Sequence, residues 1–450
     1  MDKYRQQNMI LNENIWSTTW KLSWPAVIAM VLFGLNVIFD AIFVGRYVGE
    51  TALAGISLAY PITQIPLGIG SLIGVGAGSL LSVLIGEKDK ETQRRLMGNV
   101  NYLVIISGVL MTIIGLAVMT PLLKIMGGSG RELVFGQDYL IIVLIGSVLW
   151  IGGIGYNMII RAEGKMGTAA WMMGSGLVVN IITNYILIVI LDMGVKGAAW
   201  GTNIGMLVYV VLFFVYCGRG KATFETNEKR VCREKDLVKQ ILGLGFPSLL
   251  MSIMYVIQGI VIMKALTNYG TTQDVAFYGA AFRLYNLFLT PIYGLMRALQ
   301  PMVGINFGAK QYERVIKSFK VFAVVAFLIM LPLWLLSMLF PDSVLGLMIT
   351  GRTFSDAEIC NFRTLVLVAP LLPIVLMAMT FWPAIKKPKP AGILGIARQV
   401  ILYIPAMIIL PKFFGIEWVY KGSFIIDFIL SIVVLLLMKR EFTILRREDI

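Results

Sequence analysis

The sequence predicts an all-α membrane protein of twelve transmembrane helices, arranged as two six-helix lobes related by a parallel pseudo-two-fold repeat. Three observations predict it. Of the 450 residues, 58 % are hydrophobic and 14 % charged, against about 25 % charged in an ordinary soluble domain. Apolar runs long enough to cross a bilayer recur along the whole chain. The second half also repeats the first. Leu22-Ser23-Trp24-Pro25 recurs as Leu244-Gly245-Phe246-Pro247, and Ile85-Gly86-Glu87-Lys88 falls opposite Phe307-Gly308-Ala309-Lys310. Asn36 falls opposite Gln258, Gly194 opposite Gly415, and Thr202 opposite Ser423. Six helices is an even number, so both lobes enter from the same side and the repeat axis runs along the membrane normal.

In chain order, the first span (about 17–44) is a nearly unbroken apolar run entered at Pro25, with Asn36 and Asp40 inside it. The second (53–85) carries Gly70, Gly74, Gly78 and Ser82 at four-residue spacing, which lets helices approach closely. The third and fourth run over 97–122 and 138–161. The fifth (168–192) holds Asn180, Thr183 and Asn184; the sixth (197–217) holds Gly197, Gly201 and Gly205 beside Thr202 and Asn203. Residues 1–217 thus form the N-lobe, and a basic stretch at 218–237, with Arg219, Lys221, Lys229 and Arg230, forms a linker. The C-lobe, 238–450, is expected to span at 238–267, 276–308, 317–340, 361–385, 391–412 and 416–439. It carries Arg283, Arg297, Arg398 and Asp427 within its helices, and Ile262 sits near the position equivalent to Asp40.

Several function classes drop out. The net charge of +14 comes from Lys and Arg in short loops, which is a footprint of topology and lipid headgroups and not of nucleic acid. There is no histidine, which removes His-based catalysis and most zinc sites, and Cys217, Cys232 and Cys360 show no CxxC spacing. Gly218-Arg219-Gly220-Lys221 lacks the spacing of a phosphate-binding loop, so ATP is not the energy source and no cofactor is expected. No enzyme activity is expected. Met1 to Trp20 has no signal-peptide core. Roughly three Lys or Arg fall on the N-terminal side for each one opposite, which puts both termini in the cytoplasm of a plasma-membrane protein. Asp40 then lies in the outer half of its helix.

A carboxylate inside lipid is expensive and is kept for a task. Asn180 and Asn184 are four apart and share a helical face. With Asp40 and Thr202 they predict an oxygen-rich nest that suits a proton or a hard monovalent cation. The bland alternative is an interhelical hydrogen-bond cluster, each bond contributing under about 2 kcal/mol. Phe33, Asn36, Met173, Asn180 and Tyr255 are candidates for a substrate cavity between the lobes, from their depth and lobe position. The 25 methionines suit a pocket of low selectivity.

An ordered set of motifs resembles the multidrug and toxic compound extrusion (MATE) transporters over essentially the whole chain. It comprises Pro25 with Asp40 and Phe43-Val44-Gly45, Gly74-Val75-Gly76-Ala77-Gly78, Arg161-Ala162-Glu163-Gly164, Asn180 with Asn184-Tyr185, Gly197 to Thr202, and Pro301 with Asn306 and Gly308-Ala309-Lys310. The carboxylate in the N-lobe, without one at the matching C-lobe position, resembles the DinF-like branch. The resemblance implies a monomeric exporter of amphipathic, mostly cationic compounds in exchange for H+ or Na+, with its cation site at Asp40, Asn180, Asn184 and Thr202. The branch usually has an aspartate where this chain has Asn184, which leaves Asp40 as the sole titratable group and tips the balance toward H+, with Na+ left open. Two rivals remain. A lipid or lipid-linked oligosaccharide flippase of the same superfamily would need a basic cavity, for which Arg283, Arg297 and Arg398 are available. A receptor or scaffold would need a larger soluble region than these loops provide.

Overall fold

The computed structural model describes residues 4–226, 230–347 and 353–448. Lys229, in the linker, lies outside them. Among the described residues every regular element is a helix. After a short helix Arg5–Asn12, the first lobe comprises α1 (Ile15–Tyr47), α2 (Glu50–Glu87), α3 (Lys90–Ile125), α4 (Gly130–Ile145 and Ser147–Ala162), α5 (Met166–Ile190) and α6 (Gly194–Gly218). The second comprises α7 (Lys235–Tyr269), α8 (Thr272–Gly308), α9 (Tyr312–Leu339), α10 (Asp356–Val366 and Leu372–Ala384), α11 (Pro388–Phe414) and α12 (Glu417–Glu448). Among the described residues nine helices are long and apolar enough to span a membrane singly, and the bent α4 makes a tenth. The remaining two are α8, which carries Arg283, Asn286, Arg297, Gln300 and Asn306, and α10, which is interrupted at 367–371.

The repeat is written in the backbone. Lys88 and Lys310, which the sequence pairs, both take φ 58°, and Gly194 and Gly415 both take positive φ. Each lobe's fifth helix contains a π-helical stretch, Tyr185–Ile190 in α5 and Ala397–Tyr403 in α11.

One difference from the sequence expectation concerns α4, which opens at Gly130 and bends by 58° at Gly146. The bend is held by Asn203 of α6. Its Nδ2 donates to the Ile142 carbonyl at 2.7 Å, and its Oδ1 accepts from Trp150 Nε1 at 2.8 Å. A Cβ on Gly146 would lie 2.4 Å from that oxygen, so only glycine admits the Asn203 amide. The Ile142 carbonyl also accepts from the Gly146 N–H at 3.1 Å, so Asn203 gives it a second donor and ties the bend to α6.

The lobes meet along α2. Gly70 and Gly74 pack it within its own lobe, against Ile151 and Gly155 of α4. A different set of glycines packs it across the junction. A Cβ on Gly76 would lie 1.9 Å from the Ile241 carbonyl oxygen, and one on Gly245 1.8 Å from that of Leu72. A Cβ on Gly86 would lie 2.1 Å from the Ile305 oxygen, and one on Gly308 2.1 Å from that of Val83. Main chain thus rests on main chain where α2 crosses α7 and α8. Both crossings lie in the half of the bundle that carries the linker. Gln300 adds a hydrogen bond to Ser79 at 3.1 Å, Lys386 pairs with Glu87 at 2.8 Å, and Arg314 Nε donates to the Ile10 carbonyl at 2.9 Å.

Candidate functional site

Asp40 lies on α1 toward the end of the bundle away from the linker, where α5 and α6 bring three polar side chains up to it. Asn184 Nδ2 donates to Asp40 Oδ1 at 2.6 Å, and Thr202 Oγ1 approaches Oδ2 at 3.2 Å. The same Asn184 nitrogen lies 3.4 Å from Asn180 Oδ1. Thr202 Oγ1 also lies 3.0 Å from the Ala198 carbonyl one turn back. The four residues expected to form the nest therefore come together. Gly201 makes it possible: a Cβ there would lie 2.0 Å from Asn184 Oδ1. Gly205 likewise admits Asn180, whose Cβ would be 3.2 Å from an added methyl.

Two atoms of this cluster have no hydrogen-bond partner although they are buried, Asn180 Nδ2 and Asn184 Oδ1. Buried polar atoms left unsatisfied carry a cost. The nest therefore has spare capacity: an oxygen of Asn184 beside a carboxylate and a hydroxyl. Its present hydrogen bonds point donors at Asp40. A metal-type cation would have to turn the Asn184 amide to use that oxygen.

Asp40 and Thr202 also line a cavity of about 260 Å³ in the first lobe, together with Phe33, Asn36, Tyr60 and Trp150. Asn180 and Asn184 sit behind Asp40, buried and outside that lining. Tyr255 lines a second cavity of about 140 Å³ in the other lobe, with Gln258, Phe282, Met379 and Arg398. Met173 is buried and lines neither of these cavities; its sulfur takes an N–H of Arg161 at 2.8 Å. Sequence reasoning had no signal for Tyr60 and Trp150, because an aromatic on an apolar helix reads as core until the fold shows the space in front of it.

In the second lobe Ile262, near the position equivalent to Asp40, is 1 % exposed. A buried acid of that lobe, Asp427, is held by Arg398 through Nε–Oδ1 at 2.8 Å and Nη2–Oδ2 at 3.1 Å. This two-point pairing cancels the charge beneath the second cavity. Gln399 Nε2 bridges to Gln258 Oε1 at 2.5 Å beside it.

A third polar centre was present in the sequence only as part of a motif. Glu163, just beyond α4, is fully buried. Its carboxylate accepts from the Thr223 backbone N–H at 2.6 Å, from Thr223 Oγ1 at 2.5 Å and from the Tyr216 hydroxyl. Gln7 Nε2 donates to the same Thr223 hydroxyl at 2.9 Å. Glu163 thus fastens the start of the linker to the loop after α4 and to the N-terminal helix. Burial pushes its carboxyl above the ordinary glutamate value, against the opposing pull of Lys165 and these hydrogen bonds.

Comparison with known proteins follows the same frame. The family model MatE matches residues 25–186 and again 247–409, so each match opens on one of the paired prolines, Pro25 and Pro247. The multidrug export protein MepA of Staphylococcus aureus (strain MSSA476) is 26 % identical over 427 residues, covering 92 % of each chain. MepA of Staphylococcus haemolyticus (strain JCSC1435) is 27 % identical over 411 residues, covering 90 % of this chain and 89 % of its own. Among solved structures, a MATE in the bent conformation superposes with a TM-score of 0.92 at 24 % identity, over 100 % of this chain and 99 % of that one. The outward-facing conformation of a multidrug resistance MATE family transporter of the MOP superfamily gives 0.88 at 25 % identity, over 98 % of both chains.

Proposed function

The chain belongs to the MATE family, and from that membership we propose that it is a secondary antiporter that exports amphipathic, cationic organic compounds in exchange for H+. The observation that carries the proposal is the position of Asp40, which borders the first-lobe cavity on one side and the Asn180–Asn184–Thr202 nest on the other. One carboxylate is thereby within reach of both a substrate cation and the coupling ion, so the two compete for it. The names of the staphylococcal relatives support multidrug compounds as substrates.

H+ is favoured over Na+ by the donors already aimed at Asp40. Protonation of Asp40 removes its charge and turns one of its two oxygens into a donor, so the hydrogen bonds from Asn184 and Thr202 weaken and the contacts among α1, α5 and α6 loosen without a new ligand set. Na+ would need the Asn184 oxygen turned inward, where the carboxylate now takes its N–H. In the cycle, substrate enters between the lobes from the cytoplasmic side and displaces the proton. The lobes rock about the α2 crossings, and protonation from outside releases the substrate. The protein acts as a monomer in the plasma membrane with both termini in the cytoplasm, and it uses no cofactor.

The flippase alternative draws less support. Its basic cavity would rest on Arg398, which Asp427 neutralises, on Arg283, which is exposed, and on Arg297, which is half-buried and lines neither of the two cavities. The test is efflux of a fluorescent organic cation from proteoliposomes under separate pH and Na+ gradients. Export driven by the pH gradient alone in the native protein, and lost in Asp40→Asn, is the expected result. Transport that persists unchanged in Asp40→Asn would sink the proposal.

A further inference from the structure

Two guanidinium groups, one buried and one half-buried, come to α4 from opposite lobes. Arg161, on the last turn of α4, is 5 % exposed. Its Nε donates to Asn157 Oδ1 and its Nη2 to the Met173 sulfur, both at 2.8 Å. Arg297 comes from α8 of the other lobe, and its Nη1 reaches the sulfur of Met158 at 3.7 Å. Met158 lies one turn before Arg161 on α4, so both cations come to one face of that helix. Among the described residues, neither has a carboxylate at ion-pair distance. Glu163, two residues from Arg161, is taken up by Thr223 and Tyr216.

The third arginine in the same setting shows what is missing. Arg398 is matched atom for atom by Asp427. A buried charge is expected to be paired, and thioether sulfur is a weak acceptor that neutralises nothing. Two like charges brought together from different lobes are worse than one, because repulsion adds to desolvation. The planar fork of a guanidinium is well suited to a carboxylate or other compact anion.

We propose that Arg161 and Arg297 form an anion site shared between the lobes, which takes one small monovalent anionic group, either a free halide or the carboxylate of a substrate. The site lies at the lobe junction. Met158 packs on Gly74 of α2, and Gln300, one turn from Arg297 on α8, donates to Ser79. An anion there would tie α4 to α8 and hold the linker end closed. With the anion gone, the paired cations would push the lobes apart. Because each lobe supplies one arginine, the site exists only while that end is shut.

The experiment uses the purified full chain in two arms. In the first, thermal unfolding is followed at constant ionic strength in sodium chloride and in sodium isethionate, whose anion is bulkier. In the second, fluorescence polarisation compares binding of a rhodamine bearing a free carboxylate with that of its methyl ester. If a halide fills the site, Tm rises by about 2–4 °C in chloride, and the rise disappears in Arg297→Gln. If a substrate carboxylate fills it, the free acid binds about tenfold more tightly than the ester, and that preference disappears in Arg297→Gln. A Tm indifferent to chloride together with equal affinity for acid and ester overturns the proposal. So does either effect surviving undiminished in both Arg297→Gln and Arg161→Gln. If neither variant folds, the two native-protein arms decide by themselves. The chloride arm involves no transport, so its outcome is separate from that of the exporter proposal.

Discussion

Asn184 gives its amide N–H to the carboxylate of Asp40 at 2.6 Å, across the contact between α5 and α1. An aspartate at the same place would face Asp40 as a second negative charge. The amide instead acts as a donor, so the pair carries one charge and a hydrogen bond. Every functional expectation for the first lobe starts from that substitution of a hydrogen bond for a repulsion.

Asp40→Asn removes the charge and keeps the shape. Efflux of a fluorescent organic cation is expected to fall by at least about tenfold, in line with loss of a charge-assisted hydrogen bond. The amount of protein in the membrane should be unchanged, as read by quantitative immunoblot beside the transport assay.

Asn184→Asp puts two carboxylates within hydrogen-bonding distance. Like charges that close cannot both ionise without a counter-cation. The variant is expected to gain Na+ dependence, with export in proteoliposomes rising when a Na+ gradient is added to the pH gradient, while the native protein stays indifferent to Na+.

Gly201→Ala and Gly245→Ala separate the two uses of glycine. The first places a methyl 2.0 Å from Asn184 Oδ1, a side-chain atom, so the nest is distorted and stability falls by about 1–3 kcal/mol. The second places a methyl 1.8 Å from the Leu72 carbonyl, which is main chain and cannot rotate away. The lobes must part there. Spin labels at Lys90 and Lys389 should report a longer distance in Gly245→Ala and an unchanged one in Gly201→Ala.

Glu163 gives a pH dependence whose sign can be worked out. Its folded value lies above the ordinary 4.5, so between the two values the folded state holds more protons than the unfolded one. Its contribution is therefore fully present below 4.5 and is lost as pH rises through the folded value. Hydrogen exchange at residues 221–226, corrected for the intrinsic rate, should increase across that window. Glu163→Gln should flatten the dependence.

Much of this architecture was legible in the chain. Pro25 and Pro247 announced the repeat, and the isolation of Asp40 in an apolar run marked it as the candidate around which the polar cluster gathers. Asn180 and Asn184 could be paired with it because i,i+4 spacing is local information. The pairing of Thr202 Oγ1 with Asp40 needed only the assumption that α6 lies beside α1. What stayed hidden depends on contacts between distant segments. Gly76 and Gly245 look like any other glycines in membrane helices until α2 is laid across α7. The bend at Gly146 needs Asn203, which arrives from another helix. Arg398 and Asp427 are buried charges by sequence, and only the approach of α11 to α12 shows that they neutralise each other.

The crossings of α2 with α7 and α8 rest on carbonyl oxygens and glycine α-carbons. A closure of that kind has no rotamers to find again. In the proposed cycle the two surfaces would return after each excursion to one register, fixed by the helical rise, with no search among side-chain arrangements. Such a gate would be insensitive to what has just passed through it. A carrier of chemically unrelated compounds needs that indifference, because the step that resets the machine then takes the same course whichever compound was expelled.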